Sequence, residues 1–153
     1  MNRDIKFRAW NKDDNKMHCV GTLEFFKLSE FGVIKQAPVR VNQCNESWHK
    51  NSVVLMQYIG LKDLKGREIY EGDIYFSEEE TDEDDIRDFY VITWIKEWAI
   101  FTSLYIQEYL DYLEEGVEVL DDSLRNTFIL DEGEFKNMHY AGNIYENPEK
   151  LQS

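Results

Sequence analysis

The sequence predicts a mainly β (α+β) protein with one amphipathic helix. Short runs rich in aromatic and β-branched residues alternate with glycines and clusters of polar turn residues, a pattern typical of strands joined in hairpins. Only residues 103–115 carry apolar side chains at convincing spacings of three and four. At 153 residues, 42% of them hydrophobic, the chain is long enough for one domain with a core, or for two small subdomains that share one.

Residues 1–52 are predicted to form an N-terminal β-hairpin and a loop region that pack on the core. Ile5–Ala9 alternates apolar with basic residues, which indicates a half-buried strand with Lys6 and Arg8 facing water. A polar turn then joins this strand to a second one in a hairpin. The turn is expected at 11–15, the second strand at 17–26 and a further short strand at 39–41.

Residues 53–153 are predicted to form the main β domain. Its most informative segment is Leu55–Phe76, LMQYIGLKDLKGREIYEGDIYF, which predicts a strand, a turn and another strand. Gly72 suggests a bend or bulge that requires a positive φ, and Asp73 beside it can accept a backbone hydrogen bond across that turn. Gly66 suits a second tight turn in the same segment.

Glu71 and Asp73 flank Gly72 and form the only carboxylate pair in this segment. They could act as an acid and base couple. The structural interpretation, in which both are turn-forming residues, is favoured because the glycine between them accounts for their spacing. We therefore predict a structural motif that consists of Gly66, Glu71, Gly72 and Asp73.

The net charge of −14 is concentrated in one part of the chain. Residues 77–122 contain 16 acidic and two basic residues, so they carry the whole imbalance. Ser77–Asp88 holds eight acids and one arginine, a composition that predicts an exposed acidic loop. Together with the polar face of the predicted helix, this loop is a candidate acidic interaction face. Its proposed members are Glu78, Glu79, Glu80, Asp82, Glu83, Asp84, Asp85, Glu108, Asp111 and Glu115.

A hairpin, the helix and two further strands are expected after the acidic loop. Phe89–Ile95 and Trp98–Phe101 are predicted to form the hairpin, with Tyr90, Ile92 and Trp94 on one face. The helix is predicted at 103–115, with Ser103 as its cap and Gly116 as its end, followed by strands at 126–130 and 138–145 and a terminal turn at Asn147-Pro148.

The sequence contains no recognisable arrangement for catalysis or metal binding. A Gly-x-Ser-x-Gly nucleophile motif and a phosphate-binding loop are both absent from it. None of the spacings that zinc sites use occurs among His18, His49, His139, Cys19 and Cys44. The sequence therefore predicts a protein that is not an enzyme, with no catalytic residue, no metal site and no cofactor.

A basic face is the alternative candidate for binding. An acidic surface repels phosphate backbones, so nucleic-acid binding would have to use the part of the chain before residue 77, where the charge is +2. Most aromatic residues are expected in the core, although Trp98 near the hairpin tip could join Lys6, Arg8 and Trp10 on a binding face. The proposed basic face consists of Lys6, Arg8, Lys62, Lys65 and Arg67.

Three segments resemble the YopX family of phage and prophage proteins. They are IKFRAW at 5–10, the Leu55–Phe76 segment around GREIYEGDI, and GNIYENPEKL at 142–151, so the resemblance covers nearly the whole chain. It implies a phage or prophage origin and a small SH3-like β-barrel, in which a pair such as Gly72-Asp73 commonly opens a strand. It implies no activity.

Three hypotheses for the function follow. The leading one is a non-catalytic interaction module that binds an unidentified host or phage protein and could also self-associate. The second is an acidic decoy, in which residues 77–122 imitate DNA and occupy a basic site on a host nucleic-acid enzyme. The third is nucleic-acid binding by the barrel through its basic edge. Since the sequence has neither a membrane-length apolar run nor a signal peptide, we expect a cytoplasmic protein that does not bind membranes.

Overall fold

The computed structural model describes residues 4–23, 39–41, 47–48, 52–80, 85–120, 130–131 and 133–152. Within these ranges the protein is mainly β, with ten strands in two antiparallel sheets and one α-helix. The mainly β class with one helix is therefore confirmed. The chain divides into two compact units, residues 1–58 and residues 59–153.

The first unit contains the predicted N-terminal hairpin. Strand β1 (Phe7–Asn11) pairs antiparallel with β2 (Lys16–Leu23). The turn between them forms because Asn11 and Asp14 each accept a hydrogen bond from the backbone N–H two residues further on. Asn15 completes the turn with a φ of 53°. These contacts place the hairpin where the polar turn predicted it.

The same sheet continues on both sides of the hairpin. Strand β3 (Val39–Val41) pairs with β2, and β4 (Ser47–Trp48) pairs with β3. On the other side, the first half of β5 (Val53–Lys62) pairs with β1. A small core forms around Ala9 and Val53. The short strand predicted at 39–41 is confirmed.

The second unit is built on a four-stranded antiparallel sheet. The second half of β5 continues into this unit and lies next to β6 (Glu68–Tyr70). The order of the four-stranded sheet is β10, β7, β8, β9. These strands are β7 (Asp73–Glu80), β8 (Asp85–Ile95), β9 (Ile100–Tyr105) and β10 (Met138–Asn143).

The two faces of this sheet carry separate apolar clusters, because successive side chains of a strand point to opposite faces. On one face, Val91 and Leu104 pack with the buried residues Ile106 and Tyr109 of helix α1 (Ile106–Glu115). On the other face, the buried residues Ile69, Tyr75, Ile92 and Phe135 form the second cluster. The helix therefore covers one face of the sheet and leaves the other to a different set of residues.

The helix begins three residues later than predicted, so the prediction of Ser103 as its cap is wrong. Ser103 is buried on β9, and Tyr105 on the same strand lies opposite Tyr90 of β8. The helix starts after this pair, where a carboxylate oxygen of Glu108 accepts the backbone N–H of Tyr105 at 3.0 Å. The predicted end of the helix at Gly116 is confirmed by its φ of 84°.

The acidic loop predicted at 77–88 is wrong for residues 77–80 and 85–88, which extend β7 and β8. Their register places Ser77 opposite Asp88 and Glu78 opposite Arg87. Backbone hydrogen bonds between the two strands hold this hairpin stem, and they do not depend on the charge of the side chains. Residues 81–84 lie outside the described ranges, as does the predicted strand at 126–130 except for Leu130.

The secondary structure at the C-terminal end of the described chain is close to the prediction. Strand β10 stops at Asn143, two residues before the predicted end. A 3-10 helix follows at Pro148–Gln152, with proline at its first position as predicted. The described strands form no closed barrel, so the SH3-like detail stays a prediction. No helix in the described ranges is both long and apolar enough to cross a membrane.

Candidate interaction face

One face of the β8–β9 pair displays four aromatic side chains in two cross-strand pairs. Trp94 lies opposite Phe101, with ring centroids 4.8 Å apart. Tyr90 lies opposite Tyr105, with ring centroids 4.6 Å apart. Ile92 lies between the two pairs on β8 and is fully buried. The predicted alternation of Tyr90, Ile92 and Trp94 thus forms one row of this face.

The outer rings of this face are open to solvent. Trp94 is 38% exposed and Tyr105 is 45% exposed, while Tyr90 and Phe101 are half-buried. Trp98, the aromatic residue that the sequence suggested for a binding face, instead packs against the cluster beneath the helix. Exposed tryptophan and tyrosine rings are typical of interface hot spots, because they bury a large area at a low entropic cost.

Two carboxylates lie beside the Tyr90–Tyr105 pair. Asp88 precedes Tyr90 by two residues on β8 and therefore shares its face of the sheet. Glu108 is held at Tyr105 by the hydrogen bond from the Tyr105 backbone. We call this surface the acidic–aromatic face and define it as Asp88, Tyr90, Trp94, Phe101, Tyr105 and Glu108.

The Tyr105 phenol stays protonated at neutral pH. The hydroxyls of Tyr90 and Tyr105 lie 3.2 Å apart and share a hydrogen bond. This bond with Tyr90, followed by burial and by the negative charge of Asp88 and Glu108, raises the pKa of Tyr105 to about 12. The charge of the face at neutral pH is therefore set by its two carboxylates.

The structure brings together only part of the predicted acidic face. Glu108 is hydrogen-bonded to the backbone of Tyr105 at the start of the helix, and the negative charge of Asp88 also acts on the Tyr105 phenol. Asp111 accepts a 2.8 Å hydrogen bond from the Gln107 side chain within the helix. Glu115 is exposed at the far end of the helix. Glu78, Glu79, Glu80 and Asp85 lie on β7 and β8 with their side chains undescribed, and Asp82, Glu83 and Asp84 lie outside the described residues.

The predicted basic face is divided between the two units. Lys6 and Arg8 belong to the first unit, where Lys6 lies 3.7 Å from the carboxylate of Asp4. The members in the second unit are all exposed, and they are Lys62, Lys65 and Arg67.

Arg67 has a binding site of its own within the second unit. Its guanidinium carbon lies 3.8 Å from the centroid of the Tyr140 ring, and its Nε lies 3.9 Å from Oδ2 of Asp63. Asp63 is almost fully buried, and its Oδ1 accepts the backbone N–H groups of Lys65 and Arg67, both at 2.9 Å. We call Asp63, Arg67 and Tyr140 the arginine corner.

The Gly72-Asp73 pair lies at the start of β7. Gly72 has a φ of 79°, and a Cβ at this position would lie 3.2 Å from the side-chain nitrogen of Asn143. Asp73 is fully buried and accepts the backbone N–H of Tyr70 at 2.8 Å. Gly66 also has a positive φ, of 75°. A carboxylate in this position shapes the turn, which favours the structural interpretation over an acid and base couple.

Glu71, the other carboxylate of that pair, lies near two phenols. Burial, followed by the charges of Tyr145 and Glu71, raises the pKa of Tyr109 to about 12. Burial and Glu71 also raise the pKa of Tyr145. Both phenols therefore stay protonated at neutral pH. In the described part of the chain, no three His, Cys, Asp or Glu side chains are placed to hold a metal ion.

Known proteins match nearly the whole chain. A model of the YopX protein family matches residues 6–152. The crystal structure of protein EF1440 from Enterococcus faecalis gives a TM-score of 0.57 at 20% identity, covering 98% of this chain and 99% of that one. The crystal structure of protein yopX from Bacillus subtilis gives a TM-score of 0.50 at 15% identity, covering 97% and 96%. No curated protein matches the chain. At these identities, the two structures show a shared fold.

Proposed function

Because the chain belongs to the YopX protein family, we propose that it is a non-catalytic interaction module of a phage or prophage that binds a protein partner through the acidic–aromatic face. The observation that carries the proposal is the exposure of Trp94 and Tyr105 at the ends of two ring pairs. Ordered ring pairs lose little side-chain entropy when a partner covers them, because their neighbours already hold them in place.

The charge around these rings favours a protein partner over a nucleic acid. Asp88 and Glu108 repel phosphate groups, whose neutralisation by cations supplies most non-specific affinity for nucleic acids. Among the proposed basic residues of the second unit, Arg67 is already compensated by Asp63. Lys62 and Lys65 are the other two exposed cations between residues 62 and 67.

Site-specific photo-crosslinking in host cells tests the proposal. Phe101 is replaced by p-benzoylphenylalanine, which places a reactive ring on the face, and Leu113 is replaced in a matched control. Leu113 is 60% exposed on helix α1, which covers the other face of the sheet. We expect a discrete protein adduct from position 101, its loss when Trp94→Ala is added, and none from position 113. Equal adducts from both positions would contradict the proposal.

A DNA-mimic decoy is the second candidate function, supported by the 16 acidic residues against two basic ones in residues 77–122. A decoy binds its target through charge, so its affinity falls steeply with salt. Changing Asp82, Asp84 and Asp85 to Asn, together with Glu83→Gln, removes four charges from residues 82–85. We expect the binding of a decoy to weaken by more than tenfold, with a loss of about 0.4 kcal/mol for each charge removed. Unchanged capture of the cross-linked partner would end the decoy proposal.

Three finer points belong to the proposal. We take the partner to be a host or phage protein in the cytoplasm, and a cross-linked dimer of the chain would instead indicate self-association. We take the protein to lack enzymatic activity, which a deep cleft with a bound substrate would contradict. We take the fold to be a variant of the small SH3-like barrel, which requires an experimental structure with a closed ladder of strand hydrogen bonds.

A further inference from the structure

The arginine corner shows how this molecule binds a guanidinium group. The plane of Arg67 has the Tyr140 ring on one side, 3.8 Å from its guanidinium carbon, and the carboxylate of Asp63 at its edge. The ring attracts the cation through its quadrupole, and the carboxylate supplies the opposite charge. In this protein, a tyrosine ring and a fixed carboxylate thus accompany an arginine side chain.

The acidic–aromatic face presents the same two groups. The Tyr105 ring is 45% exposed and is held against Tyr90, with the two hydroxyls 3.2 Å apart. Glu108 is fixed at the backbone of Tyr105 through one of its oxygens, which leaves lone pairs on the carboxylate for a further donor. Asp88 lies one side-chain step along the same face from Tyr90.

The described part of this face has the tyrosine ring and the carboxylates, but no cation that corresponds to Arg67 of the arginine corner. None of the Lys and Arg side chains in the described ranges forms an ion pair with Asp88 or Glu108. Arg87, although adjacent to Asp88 in sequence, lies over the Phe76 ring at 5.3 Å. Lys96, at the other end of β8, pairs with Glu97 at 3.4 Å. The two half-buried carboxylates therefore lie near an exposed ring without a counter-ion from these residues.

We propose that the partner places an arginine side chain on the acidic–aromatic face, with its guanidinium on the Tyr105 ring and its N–H groups on Glu108 and Asp88. This inference rests on the proposed function and specifies the chemistry of the partner. An arginine fits better than a lysine, because the planar guanidinium stacks on a ring and forms two parallel hydrogen bonds to a carboxylate. An anionic partner is opposed by both carboxylates.

Two short peptides of equal charge test the proposal on the intact protein. The probes are acetyl-Gly-Arg-Arg-Arg-Gly-amide and the same peptide with three lysines, and binding is followed by backbone amide shifts in NMR titrations. We expect the arginine peptide to shift the amides of Tyr105 and Glu108 and to bind about three- to tenfold more tightly than the lysine peptide. Equal affinity for the two peptides, or shifts confined to other parts of the chain, would overturn the proposal.

Matched variants separate the contact from general charge attraction. Glu108→Gln removes one charge but keeps an oxygen that can accept the Tyr105 N–H, and Glu114→Gln removes one charge at the other end of the helix. We expect Glu108→Gln and Tyr105→Leu to abolish the preference for arginine, and Glu114→Gln to retain it. Dispersed amide spectra establish that each variant is folded. An arginine preference that survives in Tyr105→Leu and Glu108→Gln would contradict the proposed geometry.

The peptide and cross-linking experiments fail in different ways. If position 101 gives a specific adduct but the two peptides bind equally, the interaction module stands and the arginine receptor is wrong. If the peptides discriminate as expected but no protein is cross-linked from position 101, the receptor stands and the proposed function is wrong.

Discussion

The arginine corner and the acidic–aromatic face contain similar side chains in different states of completion. At the arginine corner, Tyr140 and the nearly buried Asp63 surround a guanidinium that the chain itself provides. At the acidic–aromatic face, Tyr105 and Glu108 have no cation from the described residues, and the Tyr105 ring is 45% exposed.

The difference indicates that the same kinds of contact stabilise the folded chain at the arginine corner and are available to a binding partner at the acidic–aromatic face. A completed set gains its interaction energy on folding. An incomplete set leaves that energy available for a partner, although the isolated protein carries unneutralised charge at the surface. Substitutions at the arginine corner should therefore act on unfolding, whereas substitutions at the acidic–aromatic face should act on binding.

The largest effect is expected from Asp63→Ala. This change removes the acceptor of two backbone N–H groups and one partner of Arg67. Because both donors lie in a tight loop, we expect a loss of about 2–4 kcal/mol in the free energy of unfolding. Urea denaturation followed by tryptophan fluorescence measures it. Asp88→Ala is the control and should change stability by less than about 0.5 kcal/mol. If Asp63→Ala and Asp88→Ala lose similar amounts of free energy of unfolding, the two regions do not differ in their contribution to stability.

A smaller effect is expected from Arg67→Ala. The side chain is 47% exposed, so its ion pair with Asp63 is partly screened, and the contact with the Tyr140 ring is its main contribution. We expect a loss of about 0.5–1 kcal/mol in the free energy of unfolding. Lys65→Ala, in the same loop, should cost less than about 0.3 kcal/mol. If Arg67→Ala is as stable as Lys65→Ala, the contacts of Arg67 in the arginine corner contribute nothing to the free energy of unfolding.

An arginine introduced on the acidic–aromatic face should make this face resemble the arginine corner. Ser77 lies opposite Asp88 on β7, so Ser77→Arg places a guanidinium within reach of that carboxylate and the Tyr90 ring. We expect the free energy of unfolding to rise by about 0.3–0.5 kcal/mol. The arginine peptide should bind more weakly to this variant, while Ser77→Gln should leave its binding unchanged. If the arginine peptide binds Ser77→Arg as tightly as the unchanged protein, this prediction is wrong.

The smallest effect is on the titration of Tyr105. Its raised pKa of about 12 means that the folded state favours the neutral phenol, compared with an ordinary value of 10.0. The resulting contribution to stability is complete below the ordinary pKa and disappears as the pH rises through about 12. Since the hydrogen bond with Tyr90 is the main cause, Tyr90→Phe should lower the pKa of Tyr105 more than Glu108→Gln does. Phenolate absorbance at 295 nm, corrected with Tyr105→Phe, measures both shifts, and a larger effect of Glu108→Gln would reverse this order of causes.

Local patterns in the sequence predicted the elements that local interactions hold. The turn at 11–15 follows from Asn and Asp side chains that bond to nearby backbone groups, so the first hairpin could be predicted from its residues. The end of the helix at Gly116 and the proline of the C-terminal 3-10 helix are local in the same sense.

The acidic–aromatic face could be predicted only in part, because its geometry depends on pairing between strands. Alternation along the chain predicts that Tyr90 and Trp94 share a face, but the spacing of apolar residues also predicts a helix that includes Tyr105, which lies on β9 instead. Residues 103–105 belong to β9 because Tyr105 pairs with Tyr90. The secondary-structure propensities of neighbouring residues do not contain this information. The stem of the acidic hairpin was missed for the same reason.

A competition experiment shows whether the protein partner and the arginine peptide bind the same acidic–aromatic face. The protein with p-benzoylphenylalanine at position 101 is irradiated in host lysate with increasing concentrations of the arginine peptide or the lysine peptide. We expect the arginine peptide to reduce the yield of the protein adduct at lower concentrations than the lysine peptide does. An adduct yield that stays constant up to concentrations that saturate the peptide site would contradict it.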